Sequence, residues 1–253
     1  MRCRALDQEL SIATAFVYDH NGRTVLITNY HVLSGRSPIT GQPLHDSGAV
    51  PDSVAIGVPA VEQHEEGFAV RWTWRTMPLY EGDDNQRPIW TEHPRHGKLF
   101  DGVAIPLAGW DKTAVRAANS PTLDLDPIHV YPGMDAFVIG YPRGMSGGGR
   151  LPIWKRATIA TEPEIDIDGL PKLYIDTATR EGMSGAPVYA QEVGYWQPEG
   201  TTNSGQAYFG KGMRFLGLYS GRLGAEDEFK AQLGIVWKES GLVELAAAVP
   251  TET

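Results

Sequence analysis

The chain reads as a succession of short apolar runs of strand character, punctuated by turns rich in glycine and proline. Residues 11–18 and 24–28 are apolar and β-branched, and Asp19-His20-Asn21-Gly22 between them has the composition of a hairpin turn. Residues 53–58 and 68–74 form a second such pair around a polar segment at 62–67. Further runs follow at 134–140, 154–161, 173–176, 187–190, 215–220 and 233–237. Many short strands with Gly and Pro between them predict an all-β chain folded as an antiparallel barrel or sandwich. Only residues 239–248 carry helical periodicity, with Leu242, Leu245 and Ala246 on one side. They predict a C-terminal helix packed on the second half of the chain. The polar, Pro- and Gly-rich segments 38–51 and 80–98 are expected as loops at the rim of a cleft.

One segment carries chemistry more sharply than any other: Arg180-Glu181-Gly182-Met183-Ser184-Gly185-Ala186-Pro187. A serine hydroxyl attacks only when a base takes its proton, and the anion that forms needs donors aimed at it. Glycines around Ser184 let the backbone turn so that the N–H groups of Gly182 and Ser184 point into one space, an oxyanion hole. The base is His31, presented where the apolar run 25–28 ends in a polar corner, Thr28-Asn29-Tyr30-His31-Val32. Seven histidines make one near a strand end unremarkable alone, so the weight falls on the combination. The carboxylate that would orient His31 is Asp101, set among apolar residues in Leu99-Phe100-Asp101-Gly102-Val103-Ala104, where an ionised group needs hydrogen bonds to be tolerated. Asp83, Asp84 and Asp111 lie in polar surroundings and are weaker candidates. The order His, Asp, Ser is one of those in which this geometry recurs.

These boxes resemble the chymotrypsin-fold (trypsin-like) serine peptidases, especially the bacterial branches without disulfides, the Deg-type and glutamyl endopeptidases. Thr28-Asn29-Tyr30-His31-Val32 is similar to their Thr-Asn-x-His-Val box, and residues 101–107 to their Asp-containing strand, with Gly102 and Ala104 departing from its pattern. Gly182 through Tyr189 is similar to their Gly-Asn-Ser-Gly-x-Pro-Val-Phe segment, and residues 137–144 to the Gly-Tyr-Pro strand end of the second barrel. The resemblance spans roughly residues 10–245 and implies two antiparallel six-stranded β-barrels followed by the C-terminal helix. The first barrel is expected at 1–115, with His31 and Asp101, and the second at 116–253, with Ser184.

Carried onto this sequence, the resemblance places Ala178 and Thr179 at the base and wall of the specificity pocket. Tyr219, Ser220, Gly221 and Arg222 would form the opposite wall. Ala178 stands where trypsin-type enzymes have an Asp, so cleavage after Lys or Arg is not expected. A pocket for small or medium apolar side chains and one for acidic side chains, helped by Arg222 or Arg180, both remain open. Met183 stands where digestive relatives use an Asp to receive a freed N-terminus, so activation by that kind of clipping is not expected.

Bulk properties narrow the picture. The chain has 253 residues, 42% hydrophobic and 21% charged, with a net charge of −9. Its dispersed Lys and Arg make nucleic acid a poor partner, leaving a protein or peptide substrate. Cys3 is the only cysteine, so no intrachain disulfide is available. The first residues lack the apolar core of a secretory signal, which favours the cytoplasm, and no stretch approaches the roughly 18–20 apolar residues of a membrane span. No cofactor or metal is implied: His93-x-x-His96 has ligand-like spacing but no third ligand nearby. Nothing in the sequence bears on oligomeric state. The leading expectation is a serine endopeptidase working through an acyl-enzyme. The alternatives are a catalytically silent peptide-binding module on the same fold and a hydrolase of small esters.

Overall fold

Apolar and β-branched segments pair antiparallel along almost the whole chain, each burying alternate side chains, and the turns between them fall where Gly, Asn and Pro cluster. The structure, a computed structural model, describes residues 1–6, 8–64, 67–82, 87–107, 110, 115–123, 125–126, 128–200, 207–222 and 233–250. The first half carries β1 (Arg2–Ala5), β2 (Gln8–Ile12), β3 (Phe16–His20), β4 (Arg23–Thr28), the helix α1 (Tyr30–Ser34), β5 (Ser53–His64), β6 (Gly67–Pro78), the two-residue strands β7 (Tyr80–Glu81), β8 (Arg87–Pro88) and β9 (Thr91–Glu92), and β10 (Val103–Pro106). The second half carries β11 (Asp135–Gly140), β12 (Ile153–Ile159), β13 (Lys172–Asp176), β14 (Pro187–Trp196), β15 (Tyr208–Arg222), β16 (Leu233–Lys238) and the helix α2 (Glu239–Ala247).

Strands β11 to β16 close into a six-stranded barrel in the order β11-β12-β13-β16-β15-β14. In the first half the hydrogen bonds divide into two four-stranded sheets, β2-β1-β5-β6 and β3-β4-β10-β9, with β7 and β8 paired separately. The division falls where a distant part of the chain docks. The apolar stretch at 11–18, read as one strand, breaks at 13–15, where Thr14 turns its backbone N–H away from the sheet to the carbonyl of Ser184 at 2.9 Å. The β5–β6 hairpin runs twelve residues on each side, longer than its apolar pattern indicates.

The two halves share one apolar layer. Phe16, Tyr18, Val25, Ile27, Phe100 and Ala104 of the first half pack with Tyr189, Phe215, Leu218 and Trp237 of the second, and Leu242, Leu245 and Ala246 of α2 close the cluster. Helix α2 thus does more than cover the second barrel, as its periodicity alone suggested. It bridges back to β3 and β10, with Tyr18 Oη donating to Glu239 at 3.2 Å, and just past its end the Val249 carbonyl accepts from Arg23 of β4 at 3.0 Å. The segment 80–98, expected at a cleft rim, is tied to this helix by the Arg95–Glu244 ion pair. Among the described residues, no helix is long and apolar enough to cross a membrane.

Leu245 is fully buried in this shared layer, so Leu245→Ala is expected to lower unfolding free energy by about 2–5 kcal/mol. Val243, 38% exposed on the same helix, should tolerate alanine within about 0.5 kcal/mol. Urea denaturation of the two variants checks both.

Candidate active site

His31 enters the site on α1, a single turn that starts where β4 ends. Five residues are too few to show helical periodicity, and the sequence pattern gave only a polar corner. Asn29 occupies the N-cap position with extended backbone, yet its side chain does not cap the helix. Its amide instead donates to the Asp101 carbonyl at 2.6 Å, which fixes the start of the next segment against the helix. Asn29 is fully buried, and its place in the Thr-Asn-x-His-Val box marked the position without revealing this bond.

Asp101 is 4% exposed, and three donors make its ionised form tolerable there. The His31 backbone N–H bonds Oδ1 at 2.9 Å, His31 Nδ1 bonds Oδ2 at 2.6 Å, and the Ser220 hydroxyl also bonds Oδ2. With Nδ1–H committed to the carboxylate, Nε2 is left as the acceptor of the imidazole. Burial works to lower the His31 pKa, but the charge of Asp101 and its hydrogen bond outweigh it, and the net position is above the ordinary value of 6.5.

Ser184 sits in the turn before β14. Gly182 and Gly185 flank it at φ +88° and +86°, the left-handed region that favours glycine. A Cβ on Gly182 would lie 2.4 Å from the Tyr141 carbonyl oxygen, and one on Gly185 would lie 2.0 Å from that of Thr14. The N–H groups of Met183, Gly185 and Ala186 donate to the carbonyls of Arg180, Tyr219 and Met183 at 3.3, 2.9 and 3.0 Å. Among the described residues, those of Gly182 and Ser184 donate to no carbonyl. Two neighbouring strand residues connect this turn to the His–Asp pair: Ser220 reaches Asp101, and a Cβ on Gly221 would lie 3.9 Å from Ser184 Oγ.

Of the pocket positions, Ala178 is exposed, whereas Thr179 and Tyr219 are buried and hydrogen-bonded to each other through their hydroxyls. Ser220 spends its hydroxyl on Asp101. Arg222 pairs its backbone with Gly234, and its side chain lies outside the described residues, as do Asp83, Asp84 and Asp111. A residue that sequence reasoning passed over is Thr14. It is buried, and its hydroxyl donates to the Gly182 carbonyl at 2.7 Å while accepting from the Tyr141 N–H at 3.2 Å.

A family model described as trypsin-like peptidase domain matches residues 13–194, well over half of the chain. The chain belongs to the trypsin-like peptidases. Similar solved structures include the Rv3671c protease of M. tuberculosis in an inactive form, 17% identical over 99% of this chain and 88% of that one, with a TM-score of 0.44. The thermostable serine protease AL20 from an extremophilic microorganism is 13% identical over 99% and 95% of the two chains, with a TM-score of 0.47. A search of curated proteins finds no match.

Because Asp101 is what raises the titration of His31 in this trypsin-like peptidase, Asp101→Asn is expected to move the His31 pKa down, to below 6.5. Burial is then the main influence left. An NMR titration of the His31 ring, native against variant, checks the direction.

Proposed function

We propose that the protein is a serine endopeptidase that cleaves peptide bonds through an acyl-enzyme. Ser184 is the nucleophile, His31 moves the proton, Asp101 orients His31, and the N–H groups of Gly182 and Ser184 hold the oxyanion. The observation that carries this reading is the chain of contacts from His31 through Asp101 to Ser220, whose neighbour Gly221 lies beside Ser184 Oγ. In the first step the Ser184 proton passes to Nε2 as Oγ attacks the carbonyl carbon, and the imidazolium is stabilised by Asp101. His31 returns the proton to the leaving amine, and a water repeats the sequence to release the acid. Ala178 in place of an acidic residue supports a preference for side chains other than Lys and Arg. The buried Thr179–Tyr219 hydroxyl pair supports a shallow pocket suited to small or medium apolar groups. Met183 supports activity without N-terminal clipping, since it is packed in the barrel core and offers no charge to a new chain end.

Ser184→Ala is expected to abolish labelling by a fluorophosphonate and to lower kcat by about 10⁴-fold or more, while the unclipped native chain, its mass verified, labels fully. Retained labelling of the variant would sink the assignment. Only neutral His31 can accept the serine proton, so its raised pKa pushes the acid limb of kcat/KM upward. The rate is therefore expected to rise with pH through a midpoint above 6.5, read from a pH–rate profile on one peptide.

A further inference from the structure

Beside the serine turn lies a groove of about 790 Å³ whose charge is opposite to that of the chain as a whole. The net charge is −9, yet the groove is lined by Arg2, Arg4, Arg143 and Arg150, and among the described residues no carboxylate lines it. Arg2 is partly committed, lying over the Trp74 ring at 5.2 Å and pairing with Glu9 at 3.2 Å. Among the described residues, Arg4, Arg143 and Arg150 pair with no carboxylate. Arg4 Nε is buried without a hydrogen-bond partner, a desolvated donor that an incoming anion would satisfy.

The floor of the groove is one face of a sheet. Arg2 and Arg4 of β1, Ala55 and Gly57 of β5, and Trp72, Trp74 and Thr76 of β6 are alternate residues on neighbouring strands, so each set points the same way. The wall is the loop 141–150, held to that floor by Trp72 Nε1 donating to the Gly149 carbonyl at 3.0 Å. Arg143 and Arg150 in this wall both adopt positive φ, 51° and 59°, a conformation that residues with a side chain take at a cost.

The groove also has a defined position relative to Ser184. Strand residues 219–221 hold one flank of the serine turn, through Gly185 N–H to the Tyr219 carbonyl at 2.9 Å. The groove loop holds the other, through Arg143 N–H to the Glu181 carbonyl at 2.6 Å and the contact of Gly182 with Tyr141. A substrate whose acyl side lies along 219–222 sends its leaving-group side towards Arg143.

We propose that this groove binds an acidic segment of the polypeptide substrate on the leaving-group side of the bond cut, making Arg4, Arg143 and Arg150 determinants of specificity. The inference rests on the reading of Ser184 as the nucleophile. The occupant is an extended acidic chain rather than a compact anion, because the cations are spread between the sheet floor and the loop wall. The indole rings between them offer apolar surface that a phosphate cluster would not use.

The test uses two internally quenched peptides with one acyl-side sequence, one carrying three Glu and the other three Gln after the scissile bond. The native chain is expected to cut the Glu peptide with about tenfold higher kcat/KM at low salt, falling to about twofold in 0.5 M NaCl. Arg4→Glu, Arg143→Glu and Arg150→Glu combined leave three carboxylates against Arg2 alone, and this variant should favour a third, matching Lys peptide over the Glu peptide, a gain that a misfolded variant cannot produce. Equal cleavage of both peptides by the native chain would overturn the groove assignment and leave the catalytic one intact. If the native chain cuts neither peptide nor a small ester, the catalytic reading fails, and binding decides the groove separately. Ser184→Ala is then expected to bind the fluorescent Glu peptide about tenfold more tightly than the Gln peptide at low salt, and equal binding overturns the proposal. Displacement of the Glu peptide by polyphosphate at a lower concentration than by unlabelled Glu peptide would also overturn it.

Discussion

Thr14 is the clamp on which the site depends. Its N–H holds the Ser184 carbonyl, its hydroxyl holds the Gly182 carbonyl and the Tyr141 N–H, and its own carbonyl accepts from the Thr28 hydroxyl at 2.9 Å. Thr28 ends β4, three residues before His31. One buried residue therefore ties the turn that carries the serine to the strand that delivers the histidine. Every one of these bonds is buried or partly buried, and a buried polar group left unpaired costs about 1–3 kcal/mol. The arrangement is stable as a set, because loosening any one member leaves another polar atom without its partner. Gly185 is part of the same constraint, since any side chain there would collide with Thr14.

Asp101 imposes the second constraint. A carboxylate taken out of water pays a penalty of several kcal/mol that only dense hydrogen bonding offsets. Two of the donors converging on it come from α1 in the first half of the chain and one from β15 in the second. The half-to-half interface is thus set by charge as well as by the apolar layer around Phe100 and Trp237, whose rings lie 4.8 Å apart.

The sequence made Ser184, His31 and Asp101 legible as candidates because each role needs a local signature: glycines around a nucleophile, an imidazole at a strand end, a carboxylate among apolar residues. Thr14 carries no such signature, and Asn29 and Ser220, though they fall in the histidine box and the expected pocket wall, carry none for their bonds to Asp101. Thr14 acts across 168 residues to Gly182, and Ser220 across 119 to Asp101, so no window along the chain contains both partners. The same distance explains the strand assignments. The pattern at 11–18 is continuous, and it is interrupted where Thr14 bonds Ser184, Gly182, Tyr141 and Thr28. The all-β class and α2 were readable from periodicity, which left barrel and sandwich both open; the barrel of the second half was what the family resemblance implied. The two-sheet division of the first half was readable from neither, because it depends on where the serine turn docks.

Met183 completes the account of how the serine turn is held. Its side chain is fully buried in the core of the second barrel, and an added Cβ on Gly140 would come within 3.2 Å of its sulfur. Burying a methionine side chain contributes about 1.5–3 kcal/mol, comparable to the hydrogen bonds from Thr14. Neither anchor titrates. An ion pair at this position would have made the shape of the turn depend on pH and on the state of another charge; an apolar side chain and a threonine hydroxyl do not. The titration that changes within the site is then that of His31, which burial works to lower and the charge of Asp101 holds above its ordinary value. Acid charges His31 and leaves the Thr14 and Met183 anchors of the serine turn as they are.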